Sequence, residues 1–272
     1  MGTQSTVRYT MTAFTNSSEA EMYVYESTDA TTFTLVRGPA YRPPTGLIRD
    51  PSVIRHADGA YYITYTTGWD GDTIGFARST DRIEWTFLYN YTVPIPGIRH
   101  TWAPEWFIDP GGSVNVIVSL HGGEYFQPHL MTATDEALQS WSPLTPLEGI
   151  TAAPGSLGYI DTTVSVLDGR YYAFTKNETT KEVELAVAES LLGPYEFIET
   201  GDWAGWGAPR EGQCVIALPD GGHRIYLDAY TEGRYLYSDS SDGFRTWTPP
   251  RELPDISGFV RHFTVLPEYE SA

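Results

Sequence analysis

A repeat of about fifty residues constrains this chain more than any other feature. Residues 47–85, LIRDPSVIRHADGAYYITYTTGWDGDTIGFARSTDRIEW, contain one copy. Three short apolar or alternating runs, 52–55, 61–66 and 74–79, are divided by the turn signals Asp58-Gly59 and Asp70-Gly71-Asp72. Such dipeptides close hairpins, because Gly accepts the positive φ that a tight β-turn demands. Ser79-Thr80-Asp81 then turns toward Trp85, which opens a fourth run, 86–89. The Ser/Thr-x-Asp-like turn and its following aromatic recur, with the aromatics at 33, 85, 141, 195 and 247, in steps of 52, 56, 54 and 52. A fixed period of this size belongs to an array of meanders rather than to a two-layer sandwich. The expected fold is all-β: a five-bladed β-propeller with four antiparallel strands per blade.

The first blade reads as three strands only, 6–15, 22–27 and 33–37. Its missing innermost strand is expected from residues 260–266, so that the two ends of the chain pair and no open sheet edge is left. The whole of 1–272 is then a single catalytic domain, within the size range of closed all-β folds.

A second series runs through the first strand of each unit, opened by Asp50, Glu105, Asp161, Glu211 and His262 in steps of 55, 56, 50 and 51. The first strand of a blade lies nearest the axis, so these five residues are expected to ring one mouth of the central channel. Four carboxylates and an imidazole at close range repel one another, and burial penalises their ionisation. Such rings are where shifted pKa values and acid–base chemistry are found. Trp102, just before an inner strand, is expected at the same mouth and suits stacking on a sugar ring. Trp85, Trp141 and Trp247 sit in the repeated outer turn and read as packing residues. Cys214, in an apolar strand, reads as a small core residue. His121 and His129 receive no role.

Net charge narrows the partners. The chain carries −18 with two lysines, Lys176 and Lys181, so no basic patch exists for nucleic acid. A neutral oligosaccharide or polysaccharide fits this charge; a polyphosphate does not. No stretch approaches the ~20 apolar residues of a membrane span, and a monomer is expected. The first ten residues, MGTQSTVRYT, have no signal-peptide pattern, which leaves cytoplasmic and secreted mature forms both open. Sequons at Asn16, Asn90 and Asn177 bear on a secreted eukaryotic chain alone.

Five short motifs, Arg49-Asp50-Pro51, Trp102-Ala103-Pro104-Glu105, Ile160-Asp161-Thr162, Arg210-Glu211-Gly212 and Arg261-His262, resemble in identity and order those of the five-bladed glycosidases of family 43. The resemblance spans essentially the whole chain. It implies Asp50 as general base, Glu211 as general acid, and Asp161 as the carboxylate that tunes the acid and orients the sugar. It also implies a structural calcium near His262, with no cofactor required for the chemistry. Trp102, Glu105 and Arg261 are expected to bind substrate. Gln213 departs from the proline that commonly follows Glu-Gly. The expected activity is inverting hydrolysis of neutral pentose or furanose units, α-L-arabinofuranosidase first. β-Xylosidase, endo-arabinanase and galactofuranosidase or galactosidase are the alternatives within the fold, and a non-catalytic sugar-binding propeller is the alternative outside catalysis. A negative Asp161 beside Glu211 is expected to help keep the acid protonated. Sialidases share the turn before Trp but need arginines at the ring to bind a carboxylate, and this ring reads as acidic.

Overall fold

The Ser-x-Asp turns recur because each is tied by the same side-chain bonds. The hydroxyls of Ser27, Ser79 and Ser240 donate to Asp29, Asp81 and Asp242. Those carboxylates in turn accept the N–H groups of Thr31 and Thr32, of Ile83 and Glu84, and of Thr246. A short acidic side chain can thus satisfy backbone donors that no strand ladder reaches.

The structure, a computed structural model, describes residues 6–269. Twenty strands follow in order. They are β1 (Thr6–Thr15), β2 (Ser18–Ser27), β3 (Thr34–Tyr41), β4 (Arg49–Arg55), β5 (Tyr61–Thr66), β6 (Thr73–Ser79), β7 (Trp85–Thr92), β8 (His100–Ile108), β9 (Val114–His121) and β10 (Phe126–Thr132). Then come β11 (Thr145–Pro146), β12 (Tyr159–Leu167), β13 (Arg170–Asn177), β14 (Glu182–Ala188), β15 (Glu196–Glu199), β16 (Glu211–Ala217), β17 (His223–Ala229), β18 (Arg234–Ser240), β19 (Arg251–Glu252) and β20 (Val260–Tyr269). No helix occurs among the described residues.

Five four-stranded antiparallel sheets result, in the orders β20-β1-β2-β3, β4-β5-β6-β7, β8-β9-β10-β11, β12-β13-β14-β15 and β16-β17-β18-β19. The inner strands β4, β8, β12, β16 and β20 neighbour one another around the axis, so the molecule is the expected five-bladed propeller. Closure is as expected too: β1 pairs with β20, from Tyr9 opposite Pro267 to Thr15 opposite Val260. Buried Glu268 staples the seam, accepting from Arg8, Thr10 and Tyr61.

The core is divided into five clusters, one between each pair of adjacent blades. At the seam between the first and fifth blades, Tyr9, Met11 and Phe33 meet Tyr226, Tyr235 and Cys214, and the Tyr235 ring stacks on Phe263 at 4.0 Å. Trp85, Trp141 and Trp247 each pack against one of these clusters, the role expected of them. Each large apolar side chain buried this way contributes about 1.5–3 kcal/mol, which fixes the blades as a rigid frame for the mouth.

Candidate active site

The inner strand of every blade is kinked at the same place. Asp50, Ala103, Asp161, Gly212 and His262 have φ of 52°, 48°, 55°, 57° and 22°. At each kink the strand pairing slips, between Arg49 and Ser52, Trp102 and Glu105, Ile160 and Thr163, Glu211 and Cys214, and opposite Thr12 and Phe14 in the closing pair. These are β-bulges, and four of the five place a side-chain-bearing residue in the left-handed region, at a cost of about 1–3 kcal/mol each. In a regular strand neighbouring residues point to opposite faces. The bulge instead turns both members of Arg49-Asp50, Ile160-Asp161 and Arg261-His262 into one cavity, with Trp102 and Glu211 from the other two blades. The cavity measures about 410 Å³.

This geometry corrects the ring read from the sequence. Asp50, Asp161 and His262 are equivalent positions, but Glu211 precedes its equivalent, Gly212, by one residue. Glu105 lies two residues past its equivalent, Ala103. The equivalent kinks lie 53, 58, 51 and 50 residues apart, so the links between blades differ in length and spacing alone does not fix the phase. Glu105 therefore does not line the cavity, and its expected contact with substrate is not supported. It faces inward along the channel, accepting from Thr264 at 3.3 Å, beside Ser52.

His262 links the two aspartates. Its Nδ1 lies 3.2 Å from Asp50 Oδ1 and 3.8 Å from Asp161 Oδ2. Burial works against the imidazolium, yet the carboxylates of Asp50 and Asp161 outweigh it and raise the ring to about 9. Burial works equally against the Asp50 carboxylate, but His262, Arg49 and the Thr66 hydroxyl hold it well below the usual range. Thr66 Oγ1 donates to Asp50 at 2.7 Å and accepts the Ala103 N–H at 2.8 Å, locking the bulges of two blades together. Asp161 is raised, by burial first and then by Glu211 and Asp50, against the pull of His262 and Lys176. Its Oδ2 accepts the Gly212 N–H at 3.1 Å.

Glu211 is held by two cations, whereas the sequence places Asp161 and His262 on either side of it. Lys176 Nζ lies 2.9 Å from Oε2 and Arg261 Nη2 lies 3.0 Å from Oε1. Arg261 is itself fixed by Asp228, at 2.6 Å from Nε, and Asp228 also accepts the His262 N–H at 3.1 Å. Burial pushes Asp228 up to about 6 although Arg261 opposes it. The sequence reading missed Lys176 and Asp228, which sit opposite the bulges on β13 and β17. The one available signal was that Lys176 is one of two lysines in the chain.

Trp102 lines the cavity as expected, next to Trp69, which the sequence reading also missed. The two indoles stand at 87° with centroids 5.9 Å apart, and Trp69 is half exposed. Glu19 accepts from Trp69 Nε1 at 3.0 Å and from Arg49 Nη1 at 2.6 Å, while the Arg49 guanidinium lies 4.1 Å over the Trp69 ring. The result is a rigid aromatic corner on one wall.

The residues near His262 do not fit a calcium ion. Calcium takes six to eight oxygen ligands, whereas the Nδ1 of His262 already fills the space between the two aspartates as a cation. Among the described residues no group of His, Cys, Asp and Glu is arranged to hold a metal.

No protein-family model matches the sequence, and no curated protein matches it. Solved structures do match. A family 43 β-1,3-galactosidase, solved with galactodeoxynojirimycin, superposes with a TM-score of 0.66 over 85% of this chain and 86% of its own, at 13% identity. The fold is that of the family 43 glycoside hydrolases. An endo-1,4-β-xylanase from Bacteroides thetaiotaomicron gives a TM-score of 0.65 over 97% and 94% at 13% identity. A thermostable family 43 glycoside hydrolase gives 0.65 over 97% and 91% at 20% identity.

Proposed function

We propose that the chain is an inverting glycoside hydrolase that releases neutral pentose or furanose units from plant-type polysaccharide or oligosaccharide, with α-L-arabinofuranosidase activity as the first reading. The observation that carries this is the convergence of Asp50, Asp161 and Glu211, from three blades, on one cavity walled by indoles. Inverting hydrolysis needs a carboxylate to activate water and a carboxyl to protonate the leaving oxygen, roughly 6.5–9.5 Å apart with the sugar between them. Asp50, kept ionised by His262, is the base. Glu211, with 14% of its side chain exposed to the cavity, is the acid. Water loses its proton to Asp50 as its oxygen attacks the anomeric carbon from one side. The glycosidic C–O bond breaks on the other side, and the Glu211 proton goes to the departing oxygen. Asp161 supports the positive charge that develops on the sugar. Trp102 and Trp69 offer apolar faces to the ring, and Arg261 positions the acid.

The names of the structural neighbours favour a second substrate reading, a β-galactoside or β-xyloside. The test is a panel of 4-nitrophenyl α-L-arabinofuranoside, β-D-xyloside and β-D-galactoside together with linear arabinan. Wild type should hydrolyse at least one of these with inversion, read from the first anomer formed by NMR. Glu211→Gln should lower kcat on a poor leaving group by about 10²–10⁴-fold. Sugar binding without hydrolysis by wild type would instead identify a carbohydrate-binding propeller, and a retained anomer would rule out inversion.

A further inference from the structure

Lys176 is the feature that the proposed reaction leaves unexplained. Its side chain is 2% exposed, and it is the sole lysine on the cavity wall. Burying an ammonium is costly unless it is paired. Here it is paired twice, with Glu211 Oε2 at 2.9 Å and Glu178 Oε2 at 3.0 Å, and its third side faces the Tyr230 ring at 5.2 Å. Burial alone would strip the charge from Lys176, but Glu211, Asp161 and Glu178 reverse this and hold it charged beyond the usual lysine range.

The double pairing has a chemical consequence, which rests on the reading of Glu211 as the acid. A general acid alternates between carboxyl and carboxylate in every cycle. When Glu211 carries its proton, Lys176 loses one anionic partner, and a lone buried ammonium would move or deprotonate. Glu178 prevents that by remaining as the second anion. When Glu211 gives its proton to the leaving oxygen, Lys176 Nζ is already in place to meet the charge left on Oε2.

We propose that Lys176 is a positioning residue that sets the acid strength of Glu211, with Glu178 anchoring Lys176 while Glu211 is protonated. The other charged or titratable groups facing Glu211 are Asp161 from β12, Asp228 and Tyr230 from β17 and the loop after it, and Arg261 and His262 from β20. All of these stay unchanged in the test. Glu178 is shared with Lys181, from the turn between β13 and β14, which pairs with its other oxygen and also stays unchanged.

The test is the pH profile of kcat/KM for the full-length chain, on the 4-nitrophenyl glycoside that wild type hydrolyses and on an alkyl glycoside of the same sugar. The basic limb reports the acid's ionisation. Lys176→Met removes a cation and should move that limb up by about one to three pH units. It should also lower kcat about tenfold or more on the alkyl glycoside, whose leaving group needs the proton, and less on the nitrophenyl one. Glu178→Gln frees Lys176 to pair with Glu211 alone and should move the limb down. Lys176→Arg should restore most of the wild-type profile. Opposite shifts from the two charge removals are not expected of residues that merely support the fold. Should Lys176→Met fail to fold, the double variant Lys176→Met/Glu178→Gln, which removes both charges, still predicts an upward shift. Folded variants whose basic limb does not move would overturn the role of Lys176 and leave Glu211 as the acid. No turnover by wild type, or full activity in Glu211→Gln on the alkyl glycoside, would overturn both.

Discussion

Glu105 carries a measurable signature of its position along the channel. Burial pushes its carboxyl up to about 7 from the ordinary 4.5, against the opposing effects of Ser52, His262 and Thr264. Between those two values the folded chain holds a proton that the unfolded chain has released. Stability therefore falls as pH rises through this window, and the penalty is complete above about 7, on the order of 1–3 kcal/mol. Glu105→Gln keeps the shape and removes the titration. Its melting temperature should match wild type near pH 4.5 and exceed it by several degrees at pH 8. Identical pH dependence of the two melts would mean that Glu105 is not the source. His262 acts in the same direction over a higher pH window. Its raised folded value means that its contribution is full below about 6.5 and is lost as pH climbs through about 9.

At the scale of the strand, the repeated bulge is the device that builds the cavity, and Gly212 is where it is least forgiving. A Cβ there would lie 2.7 Å from His262 Cγ and 3.0 Å from His262 Cα, at φ +57°. Gly212→Ala should cost roughly 1–3 kcal/mol and also lower kcat, because it pushes His262 away from Asp50 and tilts Glu211. Gly59 is the control: its φ is +82° with nothing within 4 Å of an added Cβ. Gly59→Ala should strain the backbone by about 1 kcal/mol and leave turnover unchanged. Thermal melts read beside kcat separate the two; equal effects on activity would refute the packing argument. The same bulge marks the limit of what the chain reveals unfolded. Blade number, the seam strand, and Asp50, Asp161, Glu211, Trp102, Arg261 and His262 as cavity residues were all legible, because turns and motifs recur at a fixed period. The place of Glu105 was not, since the links between blades differ in length by several residues and an acidic residue two places past the kink keeps a plausible spacing. Lys176 and Asp228 were not legible either, because they reach Glu211 and Arg261 from the second strand of a blade. Only the register of β12 with β13, and of β16 with β17, brings them there.

For the whole molecule the decisive contact is the seam. The strand β20 completes the first blade, buries Phe263 against Tyr235, and fixes Glu268 among Arg8, Thr10 and Tyr61. A chain cut after Gly258 should lose its cooperative melt rather than fray at one end, because β1 becomes an unpaired inner edge and two inter-blade clusters open. A soluble monomer melting near the full-length temperature would contradict this. Because Arg261 and His262 ride on that same strand, a partly folded chain has four blades' worth of sockets but neither the guanidinium nor the imidazole that organises them. Recovered turnover in a refolding experiment would then time the moment the circle shuts, and a population that has regained its sheets but not its catalysis would be one still waiting for its last join.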